Sequence, residues 1–186
     1  MNISELAKAF FKTIDERIGP FDRPFQYRPF PFDAGGALNL LTVGVGRESF
    51  VTYVSWDLFG HPEQKRGSLG RYELLAVCDD SQWCIDILSK IGRQSFQTLF
   101  HPGDTLDISP WVNSEDVIRG IVFEQELQTQ IQIGLHREDC GLLRCIGITH
   151  AELKFASKQG VPALVERLKR GGVYPRTIVR RESVDL

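Results

Sequence analysis

Gly147-Ile148-Thr149-His150-Ala151-Glu152-Leu153 is the stretch that decides the fold. Thr149 can cap a helix through its hydroxyl, and Glu152, three residues on, can reach back to the cap's own N–H. An apolar strand, Leu142 to Ile148, therefore runs directly into a helix at this point. Downstream, Leu164-Val165-Glu166-Arg167-Leu168 keeps helical spacing, Gly172-Val173-Tyr174-Pro175 turns the chain, and Arg180-Arg181-Glu182-Ser183-Val184 closes it. Two short helices, Ala151 to Ser157 and Ala163 to Lys169, and a short extended piece, Thr177 to Val179, follow from these periods.

Outward from that junction, the same rules organise the rest. Ala7, Phe10, Phe11, Ile14 and Ile18 recur at three and four residues behind Ser4, the stripe of an amphipathic helix stopped by Gly19-Pro20. Leu38 to Val45 and Phe50 to Trp56 read as a hairpin around a polar, Gly-led connection. Tyr72 to Val77 turns apolar on both pleat faces, as a strand in the middle of a sheet must, and Asp79-Asp80-Ser81 breaks it. Asp80 or Ser81 can cap the next helix, in which Cys84, Ile87, Leu88, Ile91, Ser95 and Leu99 hold helical spacing up to His101-Pro102-Gly103-Asp104. Thr105 to Ile108, Val117 to Glu124, Gln130 to Leu135 and Leu142 to Ile148 read as short strands. Strands come in runs and do not alternate with helices. That order predicts an α+β fold: a mixed, largely antiparallel sheet with helices packed on one side.

Composition bounds the function. The 186 residues suit one domain, with residues 1–19 an N-terminal helix, 20–33 a Pro/aromatic arm and 34–186 the α+β core. With 22 basic against 24 acidic residues, the net charge of −2 offers no field that would name a nucleic acid or a membrane as partner. The first residues carry no apolar run of signal-peptide type, which predicts a cytoplasmic protein. Cys78, Cys84, Cys140 and Cys145 sit in or beside apolar segments, where reduced thiols behave as small hydrophobes, so disulfides are not expected.

No constellation in the chain demands catalysis. Gly44-Val45-Gly46 has two glycines of a dinucleotide loop, yet a strand follows where phosphate capture needs a helix N-terminus. The cysteine spacing forms no Cys-x-x-Cys pair, so neither metal nor cofactor is expected. His101 and Asp104 share one turn and could act as a local acid–base pair in a small hydrolase, although such a quartet also serves as a helix stop. The arm Pro20 to Phe32, with four prolines among five aromatic rings, either covers the core or presents a surface to another protein. In the second case Arg23, Tyr27 and Arg28 contact the partner, because aromatics and arginine dominate interface hot spots. Service as a structural subunit of a homo-oligomer is the remaining alternative.

With Tyr72-Glu73-Leu74 on the central strand, Trp83 and Leu88 to Gly92 on the long helix, and Phe100-His101-Pro102-Gly103-Asp104-Thr105 closing it, the order of elements resembles the suppressor of fused (SUFU) domain family. The C-terminal motifs above complete the resemblance, which runs from about residue 30 to the end. It implies a non-enzymatic binding protein. The animal member sequesters a transcription factor, clamping a peptide between two lobes, and bacterial members are proposed as immunity proteins of polymorphic toxin systems. This chain has the length of one lobe, so the resemblance implies a single-lobe bacterial member that binds another protein, a toxin domain in that reading.

Overall fold

The run Tyr72 to Val77 does lie at the middle of the sheet, where both of its faces are covered. The structure, a computed structural model, describes residues 3–20, 30–31, 37–43, 50–56, 58–59, 61 and 63–186. Its elements are α1 (Ile3–Ile18), β1 (Phe30–Pro31), β2 (Ala37–Val43), β3 (Val51–Trp56), β4 (Arg71–Cys78), α2 (Ser81–Gln97), β5 (Thr105–Asp107), a short 3-10 turn (Ser109–Trp111), β6 (Ile118–Ile133), β7 (His136–Thr149), α3 (His150–Gln159) and α4 (Val161–Arg170). Among the described residues the strands form one sheet in the order β1-β2-β3-β4-β7-β6-β5. Every neighbouring pair is antiparallel except β4 with β7, whose register sets Tyr72 beside Gly141 and Leu74 beside Leu143. The mixed, largely antiparallel α+β fold is as expected.

The helices, however, lie on both faces, not one. Leu74, Phe123, Leu143 and Cys145 join Leu88 and Ile91 of α2 in one buried cluster. Their immediate neighbours Leu75 and Leu142 join Leu6, Phe10, Phe11 and Ile14 of α1 in another. Val122, Ile146 and Ile148 meet Leu164, Val165 and Leu168 of α4 in a third. Adjacent strand residues point to opposite faces, so strands apolar at every position need cover above and below. Each large side chain so buried contributes about 1.5–3 kcal/mol.

Two further expectations are corrected. The segments Val117 to Glu124 and Gln130 to Leu135 are not separate strands but parts of one 16-residue strand, β6. A register shift between Gln125 and Leu127 lets the bulged strand continue past the polar stretch that seemed to end it. Leu135 is not in a strand: Ile133 pairs with His136 in β7, and Gly134, at φ 59°, and Leu135 form the two-residue turn between them. A left-handed φ at the first turn position matches the twist of the flanking strands, and glycine adopts it without strain. The helix caps follow expectation, with the Asp80 carboxylate accepting from Trp83 N at 3.0 Å. Among the described residues no helix is long and apolar enough to cross a membrane.

Candidate protein-binding surface

The residues that carry the sequence pattern at the C-terminus are spent on holding the domain together. Thr149 ends β7 and caps α3: its Oγ1 accepts from Glu152 N at 3.3 Å, and the Glu152 carboxylate accepts from Thr149 N at 2.8 Å. Glu152 is fully buried, and the returning tail supplies its counter-ion. Arg181 donates through both terminal nitrogens, one to each carboxylate oxygen, at 2.6 Å, and Val184 N adds a third donor at 2.9 Å. Burial by itself would push the Glu152 carboxyl up, but the hydrogen bonds from Arg181, Thr149 N and Val184 N, with the arginine's charge, hold it below the ordinary carboxylate range. A carboxylate so saturated stays ionised and has no proton to trade.

The rest of the tail is bound in the same way. Thr177 N donates to Val77 O at 2.7 Å, Gly147 N donates to Thr177 Oγ1 at 2.8 Å, and Val179 N donates to the Asp79 carboxylate at 2.9 Å. The tail thereby bridges the C-terminal ends of the parallel pair β4 and β7. Gly147 is required at this crossing, because a Cβ there would stand 2.6 Å from Thr177 Cγ2. We call this assembly the clasp.

Among the described residues, the opposite end of the β6–β7 pair is open. β5 pairs with Gly120, Ile121 and Val122 only, and one further turn of hydrogen bonds, Phe123 N to Asp104 O at 3.0 Å and Gly103 N to Phe123 O at 2.7 Å, closes that zone. From Glu124 to Ile133, β6 pairs with β7 on one side, and among the described residues no strand pairs with it on the other. Gln125, Gln128, Gln130 and Gln132 are exposed along this length. Leu135, at the tip, is 99% exposed. The root of the segment is braced by Arg144, whose Nε donates to the Glu126 carboxylate at 2.7 Å. Such an edge offers backbone N–H and C=O groups to an incoming strand. The sequence reading missed this edge; the signal that could have found it is the alternation of Leu127, Thr129 and Ile131 with Gln128, Gln130 and Gln132.

Of the sequence candidates, Arg23, Tyr27 and Arg28 lie outside the described residues. His101 and Asp104 are together, but as a turn: the Asp104 carboxylate accepts from His101 N at 2.8 Å and lies 3.4 Å from His101 Nδ1, both side chains being more than 40% exposed. These contacts account for the quartet as a helix stop leading into β5. All four cysteines are buried, and burial raises the thiols of Cys84 and Cys145 and pushes that of Cys140 up to about 12. Thiols held protonated in this way are poor nucleophiles. Glu73, on β4, is an internal brace that the sequence did not single out: its carboxylate accepts from Phe59 N at 2.8 Å and from the Ser55 hydroxyl, fixing the segment after β3.

The model of the suppressor of fused protein (SUFU) family matches residues 37–182. Among solved structures, a suppressor of fused homologue from Neisseria gonorrhoeae FA 1090 is similar, with a TM-score of 0.65 at 15% identity over 98% of both chains. A chain of the Sufu–Fu complex gives a TM-score of 0.65 at 15% identity over 98% of this chain and 91% of that one. Drosophila Suppressor of Fused gives 0.58 at 17% identity, with 80% of this chain spanning 42% of that one. No curated protein matches the sequence.

Proposed function

The chain belongs to the suppressor of fused family, and from that premise we propose that it is a non-enzymatic protein-binding module, a bacterial, cytoplasmic immunity protein that covers a toxin domain and blocks it sterically. The observation that carries this reading is the ten-residue open edge of β6, Glu124–Ile133, presented by a domain whose most recognisable residues are committed to rigidity. An extended partner segment would add to that edge through backbone hydrogen bonds, with specificity from the exposed glutamines. The arm would add side-chain anchors through Arg23, Tyr27 and Arg28, and a few such anchors, not total area, would set affinity. That a chain of this fold occurs in the Sufu–Fu complex supports protein binding in general.

The test is co-expression with the toxin-like product of the neighbouring gene, followed by co-purification and calorimetric titration. A stoichiometric complex that silences the toxin is expected, and Tyr27→Ala/Arg28→Ala should weaken it while leaving the melting temperature nearly unchanged. If that double variant melts the domain, the arm is core cover and not an interface. Substrate turnover that disappears in His101→Ala would replace the proposal with the hydrolase reading.

A further inference from the structure

Open sheet edges are usually guarded by a lysine, a proline or an inward-turned charge, because a bare row of N–H and C=O groups recruits other chains. From Gln125 to Leu135 this chain has no lysine, arginine or proline. The one charge in that run, Glu126, is paired with Arg144, and the bulge lies at the root of the segment, between Gln125 and Leu127. An edge so bare needs an occupant before any partner arrives, and its own residues have the pattern of one.

Ile133 and His136 flank the two-residue turn and so face each other as a hydrogen-bonded pair. Bonded and non-bonded positions alternate along an antiparallel strand. Back to Leu127, therefore, the odd-numbered residues turn their backbone groups to β7, and Gln128, Gln130 and Gln132 turn theirs to the open side. A second copy related by a two-fold axis must match outward residues with outward residues. Centred on Thr129, that match uses the whole run 125–133. Gln128 falls opposite Gln130 of the second copy, Gln132 opposite Glu126, Leu127 opposite Ile131, and Thr129 opposite itself across the axis. A carboxamide has both donors and acceptors, so facing amides satisfy each other. Gln128, Gln130 and Gln132 each donate once through Nε2, to Ser68 O, the Asp139 carboxylate and Gly134 O at 3.1 Å, which steadies the amides and uses one N–H of each. The match is also bounded. Past Ile133 the turn reaches Phe123 of the second copy, whose N–H and C=O are already taken by Asp104 and Gly103.

We infer that, in the absence of a partner, β6 pairs antiparallel with β6 of a second copy about a two-fold axis at Thr129, joining the two sheets into one. Such a pairing is closed: each copy spends its edge on the other, and no third copy can follow there. The inference rests on the protein-binding reading in that the edge is the docking element, and it adds that a partner must displace a second copy to reach it. The run 125–133 is short beside the roughly 20–30 residues a side of a standard interface, which keeps the exchange reversible.

The experiment is sedimentation velocity of the full chain over a range of concentrations, with cysteine variants to read the register. A monomer–dimer equilibrium is expected. Gln128→Lys/Gln130→Lys sets like charges opposite one another twice and should weaken dimerisation about tenfold or more. Thr129→Cys should form an interchain disulfide on mild oxidation, because facing residues of a non-bonded pair stand about 4.5 Å apart at Cα. Gln132→Cys, far from its own copy in this register, should not, and the native cysteines are buried. A monomer at every concentration, growth beyond the dimer, dimerisation indifferent to the lysines, or crosslinking at Gln132 in place of Thr129 would overturn the inference. Adding the toxin-like product of the neighbouring gene should convert the dimer to a one-to-one complex, and a toxin bound to the intact dimer would also overturn it. Capture of the toxin by a chain that never dimerises removes the pairing and leaves the protein-binding reading intact. The dimer without any capture removes that reading and leaves the pairing.

Discussion

The two ends of the β6–β7 pair are built on opposite principles. At one end every residue of β7 from Cys140 to Thr149 is buried, and the tail locks over it through Arg181, Thr177 and Val184. At the other, β6 runs on past its outer neighbour with alternate side chains exposed, up to a turn tipped by Leu135. The closed end carries the capping box and the tail that grips it, and the open end carries exposed side chains along β6. Rigidity and reach therefore occupy different places in the domain.

Substitutions can break that division, beginning at the clasp. Arg181→Met leaves a fully buried carboxylate without its cation and should destabilise the domain by about 3–5 kcal/mol. In thermal unfolding that appears as a fall on the order of 10 °C. A smaller loss would mean that the backbone donors alone sustain Glu152. Gly147→Ala comes next, since its Cβ would meet Thr177 Cγ2 at 2.6 Å and Ile118 Cγ2 at 2.9 Å. A cost of about 1–3 kcal/mol by urea denaturation is expected for forcing that crossing apart.

Acid should act on the clasp through the same carboxylate. Glu152 has its pKa lowered on folding, so the unfolded chain binds the proton more readily. Its contribution is complete above the unfolded-state value of 4.5 and is lost as pH falls through the lower folded-state value. Unfolding free energies of the natural chain should therefore decline across that window more steeply than those of Glu152→Gln/Arg181→Met, and parallel curves would assign the acid sensitivity to other groups. The smallest effect on stability belongs to the open end. Gln128→Lys/Gln130→Lys/Gln132→Lys changes exposed positions only and should leave stability within about 0.5 kcal/mol per site, while partner capture is lost because edge lysines oppose strand addition. Retained capture would move the interface off this edge.

How much could be read in advance follows the range of the interactions. The capping box of Thr149 and Glu152 spans three residues, as does the bond from Asp80 to Trp83 N, and both were legible because cap chemistry is local. The central position of β4 was legible too, from apolar side chains at successive positions. Its consequence, helices on both faces, was there to be drawn and was obscured by strands arriving in runs. The continuity of β6 was hidden because a polar exposed face and a bulge near Gln125 resemble a loop, and a leucine in the turn after Gly134 resembles one more strand residue. The pairing of Glu152 with Arg181 spans 29 residues, and nothing in the spacing of either residue announces the other. Of the candidate surface, the strand from Gln130 onward was visible but not its open side, which depends on the shortness of β5.

That long-range pairing also sets a schedule for biosynthesis. A nascent chain emerging from the ribosome exposes Glu152 well before the guanidinium that will neutralise it, and until then the junction of β7 with α3 must keep its carboxylate in water. Closure of the domain is thus deferred until Arg181 has emerged, and a chain truncated ahead of Arg181 should be degraded instead of being merely shorter.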